Sequence, residues 1–271
     1  MIQLKLLIPL CLFVLLSVSC SSDEKKDPQV EFNDLTTSTT DQFIEDVVTI
    51  NLEGTGYTEA NLYSSNTKIK ITKIATSVFE ISSTVATTAT ITAELKNNSS
   101  NKTKSVTLNF VEHGVKDFNT VEGIKVDVDK SNKVVSLIGE PDYKINSTDG
   151  LTEYWIYLSK GLDVHIFKST TVVTQIAMKS SNYFYTNSEN ITAFYTNYPY
   201  EIGNGWKINN AATTMDAIVD KFNSSITKSG LNTPPVSNIG YQYEKERLIF
   251  RFYSDSEDNY KDKKIIFFTI Y

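Results

Sequence analysis

The chain has 271 residues, 40% of them hydrophobic and 21% charged, with 26 basic against 32 acidic side chains. That length carries one large or two to three small domains, and a formal charge of −6 with a pI near 5.1 argues against a nucleic-acid partner, whose footprint is a basic patch. Two cysteines exclude a disulfide scaffold or a thiolate cluster, two histidines (His113 and His165) leave little for a metal centre, and no cofactor is expected.

Residues 1–19 read as an export signal. Leu6–Val18 is an apolar run behind Lys5, too short to span a bilayer comfortably. It ends in Leu16-Ser17-Val18-Ser19-Cys20, which resembles the lipobox of bacterial lipoproteins, with Ser17 where that family prefers Leu. The resemblance implies cleavage before Cys20 and a membrane anchor of two or three acyl chains on its sulfur, enough for firm attachment. Residues 20–29 then read as a polar tether that cannot bury enough apolar surface to order itself. The acidic residues Asp23 and Glu24 resemble a signal sending lipoproteins to the outer face of the outer membrane, so a surface location is expected, with the periplasmic face as the alternative.

Residues 30–113 read as an all-β module. Val48, Ile50 and Leu52, then Ala89, Ile91, Ala93 and Leu95, then Val106, Leu108 and Phe110 alternate with polar residues, the period of half-buried strands. Lys96–Lys102 reads as a polar hairpin loop between the last two runs. Short strands at this spacing predict a β-sandwich. The stretch Val48–Tyr57, an apolar strand running into Gly54-Thr55-Gly56-Tyr57, is similar to the opening of immunoglobulin-like (IPT/TIG-like) domains, which implies a spacer or binding platform.

Residues 114–194 and 195–271 read as two copies of one α+β unit, a short helix plus antiparallel strands. Gly123-Ile124-Lys125-Val126 recurs as Gly205-Trp206-Lys207-Ile208, and Val134–Ile138 corresponds to Ile218–Phe222. Met215, Ile218, Val219 and Phe222 stand at i, i+3, i+4 and i+7, one face of a helix. Trp155-Ile156-Tyr157 is matched to Tyr241-Gln242-Tyr243, Leu162, Val164 and Ile166 to Leu248, Phe250 and Phe252, and Ile176 and Met178 to Phe268 and Ile270. The skeleton, with Gly139-Glu140-Pro141-Asp142 closing the first helix, resembles the small protein A/outer membrane lipoprotein A family. In tandem it resembles the β-lactamase-inhibitor-protein fold. The resemblance implies joined sheets offering one broad face to a protein partner.

No constellation carries chemistry convincingly. Asp127–Asn132 begins like a calcium loop but has Asn132 in place of the turn glycine and Ile138 in place of the last glutamate. Asp255, Glu257, Asp258 and Asp262 read as a soluble hairpin. The glycines at Gly54/Gly56 and Gly203/Gly205 lack the context of a dinucleotide loop. The outlier is aromatic: Tyr183, Phe184, Tyr185, Phe194, Tyr195, Tyr198, Tyr200 and Trp206 put eight rings into 24 residues, where the 11% average gives between two and three. Such residues make protein-binding hot spots and also stack on sugars, or they pack between the two copies. The repeat sets a second group, His165, Phe167, Arg251 and Tyr253, side by side on the sheet face away from the core. The expectation is a non-enzymatic surface lipoprotein that binds a protein, as adaptor or inhibitor. Glycan capture or a passive envelope role are the alternatives.

Overall fold

A computed structural model describes residues 28–222, 227–231, 240–245, 247–253 and 259–271, with side chains described outside 223–246 and 253–258. The signal, Cys20, nearly all of the tether, and Asp255, Glu257 and Asp258 lie outside the described residues, as does the Tyr253 side chain. The protein is mostly β, built from several sheets whose neighbouring strands run antiparallel with one parallel exception. Among the described residues no helix is long and apolar enough to cross a membrane.

The first unit holds eight strands: β1 (Glu31–Thr37), β2 (Asp41–Phe43), β3 (Val48–Thr55), β4 (Glu59–Ser64), β5 (Ile69–Ala75), β6 (Val78–Ser83), β7 (Thr87–Lys96) and β8 (Asn101–Val111). They form two four-stranded sheets, ordered β1-β3-β6-β5 and β2-β8-β7-β4. The alternating apolar residues of β3, β6, β7 and β8 turn inward into one cluster around Ile50, Ile81, Ile91 and Leu95, because successive side chains of a strand point to opposite faces. The β7–β8 ladder closes at Lys96 opposite Asn101, so the loop is tighter than the sequence suggested. Asn97 organises it by accepting the Ser99 and Ser100 N–H groups at 3.0 and 2.9 Å.

A small three-stranded sheet follows, β9 (Val115–Lys116), β10 (Thr120–Val121) and β11 (Ile124–Lys125), and then helix α1 (Ser131–Ile138). The helix buries Val134 and Ile138, four apart and therefore on one face. It stops at Gly139, whose N–H reaches the Val135 carbonyl at 2.9 Å, with Pro141 unable to continue it.

The rest is organised by one eight-stranded sheet. Its strands are β12 (Tyr143–Asn146), β13 (Thr152–Tyr157), β14 (Leu162–Phe167) and β15 (Val172–Lys179), then, after the hairpin β16 (Phe184–Thr186) and β17 (Thr192–Phe194) and helix α2 (Met215–Phe222), β18 (Thr227–Leu231), β19 (Gly240–Lys245), β20 (Leu248–Tyr253) and β21 (Phe267–Ile270). The order is β12-β13-β14-β15-β21-β20-β19-β18, so two four-stranded halves meet along β15–β21. Val164, Ile176, Phe250 and Phe268 of the central strands share a core with Val134 of α1 and with Met215 and Ile218 of α2. Phe43 from β2 enters the same core, which locks the first unit onto the second.

The pairing corrects one expected correspondence. Trp155 lies opposite Val164, and Tyr243, rather than Tyr241, lies opposite Phe250. The expected match was two residues out, a slip that alternation cannot detect because it leaves every side chain on its own face.

Candidate functional site

The aromatic stretch is divided by its own hairpin. In β16–β17, Phe184 pairs with Phe194 and Tyr185 with Ala193, so residues 184 and 194 take one face and 183, 185, 193 and 195 the other. The inner rings lie on the large sheet: Tyr185 is 4.8 Å from Tyr143 and Tyr183 is 5.6 Å from Phe267. The outer rings of Phe184 and Phe194 meet edge to face at 5.7 Å. Phe194 is 64% exposed, and Ile191 at the turn is 56% exposed. Asn187 shapes that turn, its side chain accepting the Glu189 and Ile191 N–H groups at 3.0 and 2.9 Å.

Beneath the hairpin lies a buried polar cluster. The Tyr195 hydroxyl donates to Asp163 at 2.7 Å, and Lys179 donates to Tyr195 at 3.1 Å and is ion-paired with Asp163. Each buried charge is matched by a partner and a hydrogen bond, the condition under which a buried pair is tolerated. Burial, then the neighbouring Asp163, pushes the Tyr195 hydroxyl well above its ordinary value, so it stays protonated and donates. Next along the sheet, His165 tilts against Tyr154 at 4.5 Å, and burial lowers its pKa to about 4, which keeps the imidazole neutral.

His165 and Phe167 do not stand beside Arg251. They are on β14 and Arg251 is on β20, with β15 and β21 between them. Three strand spacings separate them, about 14 Å, because the two halves join through their last strands and not through the strands that carry these residues. Arg251 instead lies over the Phe267 ring at 4.4 Å. Phe167 is half-buried. Tyr195, Tyr198 and Trp206 are buried, while Tyr183, Phe184 and Tyr185 are half-buried and Tyr200 is 37% exposed.

The junction of the two units holds a second constellation. The His113 ring is stacked between Phe43, at 3.8 Å, and Tyr200, at 4.0 Å. Its Nδ1 lies 2.6 Å from Glu122, whose other oxygen accepts the Gly114 N–H at 3.1 Å and the Tyr198 hydroxyl. A carboxylate only accepts, so the Nδ1 proton sits between them. Glu122 and Gly123 both have positive φ, 51° and 71°, and form the two-residue turn between β10 and β11. Asn or Asp is usual at the first of these positions. The longer glutamate side chain reaches three donors, two of which, the Gly114 N–H and the Tyr198 hydroxyl, would otherwise be buried without partners.

These groups line a cavity of about 200 Å³ together with Ile138, Ser159, Lys160 and Leu162. Its wall depends on Gly161, at φ 66°, where a Cβ would lie 2.6 Å from both the Thr196 carbonyl and the Tyr198 nitrogen. The sequence placed His113 in a module separate from the aromatic stretch, and composition alone could not unite it with Phe43, Glu122 and Tyr200. The Glu122-Gly123 pair, a hairpin-turn signal between apolar residues, was the local clue.

Carboxylates read from the sequence as a degenerate calcium loop are otherwise engaged. Asp129 accepts the Lys125 N–H at 2.7 Å and Lys133 at 2.9 Å, and Asp127 pairs with Arg247. Among the described residues no three His, Cys, Asp or Glu side chains come together as a metal site.

No family model matches the chain, and no curated protein matches it. Among solved structures it is similar to a DUF4309 family protein of Bacillus subtilis, at 13% identity over 55% of this chain and 83% of that one, with a TM-score of 0.28.

Proposed function

We propose that the chain is a non-enzymatic lipoprotein of the bacterial outer membrane, anchored through Cys20 and facing the cell surface, that binds another protein as an adaptor or inhibitor. The observation that carries this reading is the hairpin β16–β17, whose outer face presents Phe184 and Phe194 with Ile191 at the tip. Exposed aromatic residues ringed by polar ones are the material of binding hot spots. Their inner neighbours are fixed to the sheet by Tyr195 and Tyr185, so the patch is ordered before it meets a partner and association costs less entropy.

The architecture fits that role. Residues 30–113 are read as an immunoglobulin-like sandwich of the IPT/TIG kind, serving as a spacer. Residues 114–194 and 195–271 are read as tandem α+β units of the β-lactamase-inhibitor-protein kind. The mirrored strand order supports this, as does the central register: Ile176 lies opposite Ile270 and Met178 opposite Phe268. Two-fold related copies require those pairs if Ile176 corresponds to Phe268 and Met178 to Ile270. An enzyme is disfavoured because the buried carboxylates of Asp163 and Glu122 are both spent on internal partners.

The test is capture. Ser21–Tyr271, immobilised, is exposed to an envelope and secreted-protein extract and washed with mixed polysaccharide. One protein retained near stoichiometry, resistant to the wash and lost with Phe194→Ser, is the expected result. Release by polysaccharide would move the site to glycan binding, and an empty column would leave a passive envelope role.

A further inference from the structure

We infer that the outer face of the sheet β2-β8-β7-β4 is a binding site for an uncharged polysaccharide chain. The site belongs to the first unit and does not rest on the protein-binding reading of the hairpin.

Sequence and register build the face together. Ala89, Ile91 and Ala93 of β7 and Leu108 and Phe110 of β8 turn into the core, so the residues between them point outward. The antiparallel register sets Thr88 opposite Asn109, Thr90 opposite Thr107 and Thr92 opposite Ser105. These pairs are three rungs of a ladder, spaced about 6.8 Å along the strands. β7 and β8 are the inner strands of the sheet, paired on both sides, so the rungs are held in place before any ligand arrives.

The polar groups decide the charge of the ligand. None of the six residues is ionisable, and Thr88, Thr90, Ser105 and Thr107 are exposed. The outer rungs are cross-bonded: Thr88 donates to Asn109 at 2.9 Å, and the Thr92 and Ser105 hydroxyls lie 2.9 Å apart. In the middle rung the hydroxyls of Thr90 and Thr107 have no partner among the described residues, and each offers one donor and two lone pairs. The carboxylates at the two ends of the ladder are occupied. Asp41 accepts from Asn109 at 3.0 Å, and Glu94 accepts from Asn101 at 2.8 Å and from Tyr63 at 3.2 Å. An ionic partner therefore meets no free opposite charge on the rungs, whereas the hydroxyls of a neutral sugar meet donors and acceptors alike.

Tyr63 supplies the apolar half of sugar recognition. It stands opposite Thr92 on the edge strand β4 and is 52% exposed. Its bond to Glu94 steadies the ring beside the ladder, and a tyrosine ring stacks on the C–H face of a sugar. At the other end the Asn109 N–H donates to the Thr40 carbonyl at 2.8 Å. There residues 37–40 and the α1 residues Asn132, Val135 and Ser136 line a cleft of about 530 Å³ with no charged side chain. Ring, rungs and cleft form one neutral track. A polymer whose hydroxyls recur along its length engages several of these points at once, which a single sugar cannot do.

The experiment runs the full chain, in a neutral detergent without a sugar head group, through native gels containing dextran, laminarin or galactomannan. Polygalacturonate is the anionic comparison. Retardation by at least one neutral polymer is expected, and none by polygalacturonate. Thr90→Val combined with Thr107→Val keeps shape and strand propensity while deleting the free hydroxyls, and is expected to weaken that retardation about tenfold. Tyr63→Ala should weaken it similarly and Tyr63→Phe much less, while Thr72→Val, an exposed threonine of the other sheet, changes nothing. An unchanged unfolding midpoint shows that each variant is folded. Passage unretarded through all three neutral polymers would overturn the proposal. So would equal retardation by polygalacturonate, or retardation indifferent to the paired valine substitutions.

Discussion

Strands β7 and β21 are both central to their sheets, yet water reaches them differently. In β7, Ala89, Ile91, Ala93 and Leu95 are buried while the residues between them are exposed or half-buried. In β21 all four residues from Phe267 to Ile270 are buried. The first unit packs sheet on sheet and leaves each outer face wet. The centre of the eight-stranded sheet carries the helical core on one side and the segment around Tyr183 on the other. Burial on both faces converts alternation into a continuous apolar run, here Ile265-Ile266-Phe267-Phe268. The polar residue of that strand is then obliged to find partners, and Thr269 donates to the Ile176 carbonyl at 2.9 Å and accepts from Gln175 at 3.1 Å. The lesson is that stability concentrates where both faces are closed. Large apolar side chains stay exposed where closure does not reach, as Phe194 and Ile191 do at the hairpin tip.

The largest test of that contrast is Phe268→Ala. Phe268 is fully buried and stacked on Phe250 at 4.6 Å, and its loss is expected to cost about 3–5 kcal/mol in denaturant unfolding. Ile91→Val in β7 should cost about 0.5–1.5 kcal/mol and leave the second unit unaffected. Phe268→Ala falling within the range expected for Ile91→Val would show that the core around Phe268 collapses to fill the cavity it leaves. Somewhat smaller is Glu122→Ala at the junction. It strands the Tyr198 hydroxyl, the Gly114 N–H and the His113 ring at once, an expected loss of about 3 kcal/mol. Glu122→Gln, which keeps an accepting oxygen, should cost less. If the two variants are equally stable, the carboxylate is not what ties the units together.

How much of this was legible follows from the same contrast. Strands β3, β7 and β8 could be read because one wet face enforces alternation, and α2 because Met215, Ile218, Val219 and Phe222 repeat at helical spacing. The slip between Tyr241 and Tyr243 was invisible, since period two is unchanged by a shift of two. The aromatic excess was plain in composition. Which rings face out depends on Phe184 pairing with Phe194, a register no composition encodes. The junction was the hardest to see. Phe43, His113 and Tyr200 are far apart in sequence and meet only when the two units dock.

His165 sharpens the comparison through pH. Its folded-state value, lowered to about 4 by burial, lies below its ordinary value of 6.5. Between those two values the unfolded chain binds a proton that the folded chain does not. Stability from the neutral ring is therefore complete above about pH 6.5 and declines as pH falls toward 4, by up to roughly 3 kcal/mol. Unfolding curves at pH 7, 5.5 and 4 check this, and His165→Asn should flatten the slope. A slope unchanged by that substitution would place the acid sensitivity elsewhere.

The smallest effect on stability belongs to the residue on which the proposed function leans hardest. Phe194 is 64% exposed and touches Phe184, so Phe194→Ser should move the unfolding midpoint within the ordinary surface range of about 0.5 kcal/mol. Its neighbour Tyr195 faces the other way, buried and bonded to Asp163 and Lys179. Tyr195→Phe removes both contacts and should cost about 1–2 kcal/mol, loosening the hairpin and speeding proteolysis at its turn. The two variants thus separate the two faces of one strand. Binding lost with Phe194→Ser at full stability would mark an outer face that meets a partner. Binding lost only with Tyr195→Phe would mean that the hairpin matters as a cover for the sheet, and that the partner contacts something beneath or beside it.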